Sequence, residues 1–353
     1  MVSALFTLTE AGRGRARECM EKNQYSGPAP VPIAKYTQSV KEQRQKSGWL
    51  KRDALANAFR HMVVSRETIG QIGPAVNSGR SFLLYGQPGN GKTYLAEALF
   101  RLDSSPIFVP YALECEGNII RLFDPIYHVP LENEAEETIS VSAVDRHDGR
   151  WVRCKRPFIV TGGELNMSML DLSLEPASRI YDAPFQLKAN NGIYLIDDFG
   201  RQRVSPSEVL NRWIVPMERR VDYLSFQTGG KMETPFEAFL IFSTNLRPEQ
   251  LGDEAFLRRI SYKMMVRSPE EQEFRAIFLK YCAGQNLEIS EEMLEDFLER
   301  HYRQTGNPFR RCHPRDILSH AIDLIHFEEL PYVLTATLLD RAVESCFVQP
   351  KME

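Results

Sequence analysis

The middle of the chain alternates amphipathic helical patterns with short runs that are apolar throughout. Helical spacing of apolar residues begins at about Leu50, and the apolar runs that follow it are bounded by turn-forming residues. Strands of a parallel sheet have this pattern, because helices cover both faces of the sheet. The pattern therefore predicts an α/β fold, a parallel sheet flanked by helices. We place its strands at 81–85, 107–109, 193–196, 240–243 and 262–266.

From about Ser268 the strand pattern ends, and amphipathic helices follow one another to the C-terminus. We therefore predict a basic arm with a proline-rich linker over 1–49, an α/β domain over 50–267 and an all-helical domain over 268–353. A long insertion is predicted at about 114–186. Its many apolar and aromatic residues argue against simple disorder, so we interpret it as an element that contacts a partner.

Two details of the insertion are predicted from local pattern. The segments 139–144 and 150–154 flank Arg146-His147-Asp148-Gly149 and predict a hairpin. The histidines His128 and His147 lack the spacing of metal ligands, and we expect both to be solvated loop residues.

Composition narrows the class of protein. The chain has 353 residues, is 43% hydrophobic and 25% charged, and carries a net charge of −4, so the whole molecule does not resemble a nucleic-acid-binding or membrane-binding protein. The first fifty-two residues differ, with ten Lys and Arg against four Glu. This segment is either a solvated helix and linker or an arm that binds DNA or an acidic partner.

The six cysteines have no compact spacing, so neither a zinc site nor a disulfide framework is predicted. The N-terminus has no signal-peptide pattern, and no window approaches eighteen uninterrupted apolar residues. We therefore expect no membrane span and a cytoplasmic protein.

A glycine-rich turn joins the run 81–85 to a helical pattern and matches G-x-x-x-x-G-K-[ST] over residues 86–93. Its glycines let backbone N–H groups surround phosphate oxygens, and the start of the next helix favours the same anion. Lys92 of such a loop reaches the β and γ phosphates, and the Thr93 hydroxyl ligates Mg²⁺. ATP and Mg²⁺ are the predicted ligands. The predicted nucleotide-binding residues are Gly86, Pro88, Gly89, Asn90, Gly91, Lys92, Thr93 and Tyr94.

Two adjacent carboxylates, Asp197 and Asp198, end the run 193–196 in the form of a Walker B motif. Consecutive strand residues face opposite sides, so both can face a nucleotide only where the main chain turns at the strand's carboxyl end. There Asp197 would hold Mg²⁺ through water, and Asp198 would orient and deprotonate the attacking water.

Asn245 follows another apolar strand in the same way. Its amide can donate a hydrogen bond to the γ-phosphate and accept one from the attacking water, which is the role called sensor 1. Asn is also common in ordinary turns, which is the alternative interpretation.

These motifs, in this order and followed by a helical domain, resemble the AAA+ ATPases over roughly residues 50–345. The resemblance implies that Arg259, with Arg258 as the alternate, is an arginine finger that contacts the γ-phosphate held by a neighbouring subunit. It therefore implies a homo-oligomer, with a hexamer among the candidate states. It also implies that Arg315, near the start of a helix in the lid domain, is a sensor 2 residue that contacts the nucleotide in cis.

The run into Asp197 resembles MoxR-type ATPases and bacterial enhancer-binding activators, as does a hairpin around Gly229-Gly230 before the strand that ends at Asn245. Two departures are clear. Asp198 stands where the family usually has Glu, and the loop by which those activators grip sigma factor is absent. Residues 6–17 resemble the last strand and helix of a winged-helix DNA-binding domain, with an N-cap at Thr9, so the arm is either a remnant of such a domain or a chance likeness.

The sequence thus predicts a mechanochemical AAA+ ATP hydrolase that remodels an unidentified protein or nucleic-acid client. The alternative is a slow ATP-dependent regulatory switch whose N-terminal arm binds DNA or another partner. A metabolic kinase is poorly supported, because no phosphoacceptor pocket is recognisable.

Overall fold

The computed structural model describes residues 7–46, 48–103, 105–131, 148–252 and 254–347. Its helices are α1 (Glu10–Lys22), α2 (Ile33–Glu42), α3 (Arg52–Ala58), α4 (Arg66–Ser78), α5 (Lys92–Phe100), α6 (Phe185–Lys188), α7 (Pro206–Arg212), α8 (Ile214–Arg219), α9 (Glu254–Leu257), α10 (Glu271–Gly284), α11 (Glu291–Leu298), α12 (His313–Phe327) and α13 (Ala336–Cys346). Its strands are β1 (Val31–Pro32), β2 (Ser81–Tyr85), β3 (Ile107–Pro110), β4 (Ala112–Cys115), β5 (Asn118–Arg121), β6 (Trp151–Cys154), β7 (Phe158–Thr161), β8 (Ser173–Glu175), β9 (Ile180–Asp182), β10 (Ile193–Ile196), β11 (Val221–Ser225), β12 (Lys231–Pro235), β13 (Phe239–Thr244) and β14 (Tyr262–Met265).

A parallel five-stranded sheet forms the centre of the α/β part, in the order β14, β2, β13, β10, β7. Ile193 of β10 pairs with Phe239 of β13 on one side and with Phe158 of β7 on the other. Helices cover both faces, and a helical domain follows the last strand. The predicted fold class, an α/β fold with a parallel sheet flanked by helices and a C-terminal all-helical domain, is confirmed.

One of the five strand assignments needs correction, and one strand of the central sheet was missed. The run 107–109 lies in β3, which pairs antiparallel with β6 outside the central sheet. The fifth central strand is instead β7, within the segment predicted to be an insertion. This strand is at the edge of the sheet, so Val160 is exposed while its neighbours Ile159 and Thr161 are buried. An alternating strand of this kind does not match a search for runs that are apolar throughout.

The central sheet separates two hydrophobic cores. Along β10, Tyr194 and Ile196 pack into a core with Trp213 and Phe242. Ile193 and Leu195 pack into the opposite core, which α3, α4 and α5 cover. Burial on both faces explains why the strand is apolar throughout.

A third core joins the N-terminal segment to the insertion. Strands β1, β4, β5, β9 and β8 form a second sheet in that order. Val31, Tyr36 and Val40 of the N-terminal segment are buried against it and against Leu224 of the hairpin β11–β12. Part of the segment assigned to the arm is therefore packed into the body of the protein, while the domain limits themselves stay a prediction.

The hairpin predictions have different outcomes. The hairpin around Gly229-Gly230 is confirmed as β11–β12, which pair antiparallel from Val221↔Pro235 to Ser225↔Lys231. The other predicted hairpin lies mostly outside the described residues, since 139–147 are not described. Its second half is β6, which pairs with β3.

The remaining elements lie at the two ends of the chain. Helices α10 to α13 pack around one aromatic-rich core that includes Phe274, Phe278 and Tyr302. Helix α1 begins after the predicted cap, since Thr9 Oγ1 accepts a hydrogen bond from Gly12 N at 3.2 Å, and none of its residues is buried. Within the described part of the chain, every helix is too short or too polar to cross a bilayer.

Candidate nucleotide site

The glycine-rich loop lies between β2 and α5, as its sequence predicts. Gly86, Gly89 and Gly91 all have positive φ angles, of 145°, 77° and 82°. These conformations cost glycine little, whereas a side chain would be strained. A Cβ atom at Gly89 would lie only 2.6 Å from Cys312 Sγ of the lid, so the loop and the lid are in direct contact here.

Lys92 is held at the centre of the site. Its ammonium Nζ donates to the carbonyl oxygens of Gly86 (3.0 Å) and Gln87 (3.1 Å) and to Asn245 Oδ1 (2.7 Å). Burial lowers the pKa of the Lys92 ammonium from its ordinary value, while the carboxylates of Asp197 and Asp198 oppose this shift. The three acceptors are uncharged carbonyl-type oxygens, and the ammonium can exchange them for phosphate oxygens, which carry charge and bind it more strongly.

The two carboxylates lie at the carboxyl end of β10, beside the loop. Thr93 Oγ1 donates to Asp197 Oδ2 at 2.8 Å, and Asn245 Nδ2 donates to Asp198 Oδ1 at 2.9 Å. Asp198 has a φ of 49°, so the chain turns between the two residues. This turn lets two consecutive side chains share one side of the sheet edge, where a straight strand would separate them.

Gln202 stabilises that turn and was missed in the sequence. Its Nε2 donates to the Asp197 carbonyl oxygen at 2.9 Å, and its Oε1 accepts from Gly200 N at 2.7 Å. A glutamine in a polar loop gives no local pattern from which this role could have been found.

The oxygens of Thr93 and Asp197 fit a magnesium ion. Both are oxygen donors of the kind that Mg²⁺ prefers. Their separation of 2.8 Å is compatible with a Thr93 hydroxyl that binds the ion directly and an Asp197 carboxylate that holds it through water. The described residues contain no group of three or more His, Cys, Asp or Glu side chains able to hold a metal. Such a site therefore depends on phosphate and water for its other ligands, as is usual for Mg²⁺ at nucleotide sites.

A cavity of about 1440 Å³ opens over this network. Its lining includes Pro88 and Tyr94 of the predicted set, residues 61–65 before α4, and residues of the lid. Tyr94 is 45% exposed and is available to a ligand. The segment 61–65 was missed, because nothing in its sequence distinguishes it from a loop between two helices.

The lid meets the loop through a short segment that sequence reasoning also missed. Cys312 N donates to the Gly89 carbonyl oxygen at 2.9 Å. Arg311 donates to the Val63 carbonyl oxygen at 2.6 Å and pairs with Glu273 at 2.9 Å. The charge of Arg310 contributes to the lowered pKa of Lys92. Basic residues at 310 and 311 thus lie near the glycine-rich loop.

Arg315, the predicted sensor 2 residue, lines the cavity. Its guanidinium is paired with the neighbouring Asp316 at 2.8 Å, and its side chain is 61% exposed. Lys92, Asp198 and Asn245 line the same cavity. In the described part of the chain, the Arg315 guanidinium bonds to Asp316 and to none of these three residues.

The two predicted finger arginines lie at the opposite ends of the central strands from the glycine-rich loop. Ser81 Oγ at the start of β2 donates to the Arg259 carbonyl oxygen at 3.2 Å, whereas the phosphate-binding loop follows the end of that strand. Arg259 Nε pairs with Glu218 at 3.0 Å. Arg258 lines a separate cavity. Neither arginine lines the candidate nucleotide cavity of its own chain.

His128 is not a solvated loop residue, which corrects the prediction. It is fully buried, its Nδ1 accepts from Asp124 N at 3.0 Å, and its Nε2 lies 2.9 Å from the Lys188 carbonyl oxygen. This arrangement requires the neutral ring with a proton on Nε2, and burial lowers the pKa of His128. His147 lies outside the described residues.

Comparisons with known proteins add little beyond the fold. A family model described as a domain of unknown function (DUF8689) matches residues 270–345, which correspond to the helical lid. A search of curated protein sequences finds no match.

Among solved structures, NtrX from Brucella abortus is similar at 12% identity and a TM-score of 0.47, over 91% of this chain and 60% of that one. NtrX in complex with ATP gives 13% identity and a TM-score of 0.45, over 88% and 61%. A mutant of RuvB from Thermotoga maritima gives 15% and 0.41, over 86% and 73%. The chain spans about 60% of the length of the NtrX chains, and likeness at this level does not extend to function.

Proposed function

We propose that this protein is a Mg²⁺-dependent ATP hydrolase of the AAA+ kind, which works as a homo-oligomer and converts hydrolysis into movement of its lid and insertion. The supporting observation is one connected network. Thr93 binds Asp197, and Asn245 joins Lys92 to Asp198. Residues 92, 197 and 245 are far apart in the sequence, so their convergence beside a glycine-rich loop is hard to explain by turn formation alone.

The chemistry divided among these residues is phosphoryl transfer to water. Backbone N–H groups of the loop 86–91, other than Pro88, which has none, bind the phosphates together with the Lys92 ammonium. Asn245 orients the water and the γ-phosphate. The water oxygen forms a bond to the γ-phosphorus, the bond from that phosphorus to the β–γ bridging oxygen breaks, and Asp198 accepts the proton from water. Thr93, and Asp197 through water, would hold Mg²⁺, which would neutralise part of the phosphate charge.

Assembly is proposed from the position of Arg259. Among the described residues, neither Arg258 nor Arg259 lines the nucleotide cavity of its own chain. Arg259 lies at the opposite ends of the strands, from which it would reach the site of a neighbouring subunit. A head-to-tail arrangement of this kind closes into a ring if the rotation between subunits permits. A hexamer is the ring that we propose to test first.

We also assign Arg315 to the nucleotide bound by its own chain. Its guanidinium would release Asp316 and bind a phosphate instead. A cytoplasmic location, and a place near the MoxR and enhancer-binding branch, remain part of the proposal.

The lid is the part of the molecule that would move on phosphate binding. Cys312 and Gly89 are joined by a hydrogen bond, so a change of the loop on phosphate binding is transmitted directly to the helical domain. The client that such movement would act on is a protein or a nucleic acid.

A slow regulatory switch is the second candidate, and two observations favour it. Helix α1 exposes Arg13, Arg15 and Arg17 and buries none of its residues, so it is free to contact DNA or an acidic partner. Asp198 is one methylene shorter than the usual Glu, which slows proton transfer if the geometry is not compensated.

Steady-state turnover of Mg²⁺-ATP separates the two. The hydrolase proposal expects turnover by the wild type that Lys92→Ala abolishes through lost binding and Asp198→Asn abolishes with ATP binding retained. Tight ATP binding without detectable turnover, at concentrations where the protein is assembled, would favour the switch. Binding of α1 to duplex DNA is then tested at low salt, where phosphate contacts are strongest.

A further inference from the structure

A second cavity, of about 730 Å³, lies at the edge of the central sheet away from the glycine-rich loop. Ile193, Phe239 and Tyr262, the first residues of β10, β13 and β14, line it. The loop and the carboxylate pair follow the opposite ends of the sheet's strands, so the two cavities are separate. The volume is in the range of sites for small molecules, about 300–1,000 Å³.

Acidic partners already neutralise part of the basic charge in this cavity. Arg156 pairs with Asp103 and donates to the Asn191 carbonyl oxygen at 2.6 Å. Glu237, whose side chain is only 8% exposed, faces Arg44 at 3.4 Å. Each of these pairs carries no net charge.

Two further arginines of the lining, Arg80 and Arg258, are left over. Both side chains are exposed, and among the residues that the structure describes neither guanidinium forms a hydrogen bond or an ion pair. Two guanidinium groups beside a cavity whose other charges are balanced give it an excess of positive charge. Their planar donor groups match phosphate oxygens well.

Asn191 supplies an independent sign of a ligand. The residue is 7% exposed, lines the cavity, and its side-chain Oδ1 has no hydrogen-bond partner. The preceding Asn190 is different, because its Nδ2 donates to Tyr36 and Pro235 and its Oδ1 accepts from Glu237 N. A buried acceptor without a partner is costly, and a donor on a ligand would satisfy it.

Aromatic rings complete the lining. Trp49, Phe100 and Tyr262 are partly buried at this cavity, and such rings can stack on a planar base. The C-terminal end of α4 also points here and disfavours an anion. However, the Gly79 carbonyl oxygen at that end already accepts a hydrogen bond from Arg220, which offsets this effect.

We propose that this cavity binds a nucleoside phosphate, as a second site distinct from the catalytic one. Arg80 and Arg258 bind the phosphate, an aromatic wall that includes Trp49 packs on the base, and Asn191 Oδ1 accepts a hydrogen bond from the base or sugar. A ligand here would bridge the residues that follow α2 and the strand ends of the central sheet.

The test uses the full chain with Lys92→Ala, which removes phosphate binding at the first site. Titration calorimetry with AMP and with ADP should show one remaining site per chain. Adding Arg80→Glu should weaken that binding at least tenfold, whereas adding Arg17→Glu on α1, the same charge change far from the cavity, should leave it unchanged. No binding of either nucleotide at millimolar concentration, or equal affinity in the two double variants, would overturn the proposal.

Trp49 fluorescence gives a second measurement that needs no Lys92 variant. Trp151 and Trp213 are buried away from this cavity, so quenching by AMP in the otherwise wild-type chain should disappear in Trp49→Phe. Quenching that persists in Trp49→Phe would contradict the site. If wild-type Mg²⁺-ATP turnover is present while both binding tests fail, the second site is wrong and the proposed function stands.

Discussion

Asn245 donates its amide hydrogen to Asp198 at 2.9 Å while its amide oxygen accepts from Lys92 at 2.7 Å. Only one orientation of the amide satisfies both contacts, because Lys92 is a donor and a carboxylate is an acceptor. One side chain therefore fixes the distance between the phosphate-binding cation and the proposed base.

Replacing Asn245 by Ala should lower the kcat for ATP by about 10²-fold or more, since a preorganised donor at the reacting phosphate is lost. ATP affinity should change far less, because the loop backbone and Lys92 remain. Steady-state hydrolysis and a fluorescent-nucleotide titration measure the two quantities. Asn211→Ala, on the exposed side of α7, is the matched control, and a turnover equal to that control would contradict the role of Asn245.

Arg259→Ala should abolish turnover and leave ATP binding intact, because the finger is proposed to act in a neighbouring site. Mixing Arg259→Ala with Lys92→Ala subunits should restore part of the activity. Mixed assemblies contain interfaces that join an intact Lys92 to an intact Arg259. Hydrolysis across a series of mixing ratios is the measurement, and an absence of rescue at every ratio would count against a finger in trans.

Gly89→Ala should destabilise the protein by two effects. A residue with a side chain at a φ of 77° costs about 1–2 kcal/mol, and its Cβ would meet Cys312 Sγ at 2.6 Å. Adding Cys312→Ala removes the second effect only, so the double variant should recover part of the lost free energy of unfolding. Urea denaturation of the four proteins gives the coupling. Strictly additive effects would mean that the loop and the lid do not meet at this point.

Stability should fall with acid through His313. Burial, with the charge of Arg310, lowers the pKa of His313 from 6.5 to about 4, and its Nδ1 lies 3.0 Å from the Tyr302 hydroxyl. The unfolded chain binds this proton first, so the contribution is complete above about pH 6.5 and is lost as the pH falls towards 4.

Urea midpoints at pH 7.5 and pH 5 should therefore differ less in His313→Gln than in the wild type. His326→Gln, at an exposed histidine of the same helix, is the control and should keep the wild-type difference. An unchanged difference in His313→Gln would show that another group carries the effect.

The sequence could predict those parts of the fold and site whose chemistry requires particular residues next to one another in the chain. A phosphate-binding loop needs its glycines, Lys92 and Thr93 together, and the carboxylates must follow an apolar strand directly. The central strands β2, β10 and β13 were found because burial on both faces makes them apolar throughout.

The parts that were missed depend on contacts between distant segments. No local sequence pattern marks Gln202, Cys312 or His128. Their partners are determined by how loops that are distant in the sequence pack together. The edge strand β7 was missed for a related reason, since half of its residues face solvent. Whether Arg259, Arg258 and Arg315 act as the resemblance implies stays a prediction that mutants must test.

The central claim is that Thr93 and Asp197 share one metal ion with a bound nucleotide. Electron paramagnetic resonance of Mn²⁺, a spectroscopic substitute for Mg²⁺, measures this directly in the presence of ATP. The account predicts one protein-bound Mn²⁺ per chain that appears only with nucleotide and whose affinity drops at least tenfold in both Thr93→Val and Asp197→Ala. Mn²⁺-ATP binding that is unaffected by both substitutions would contradict it.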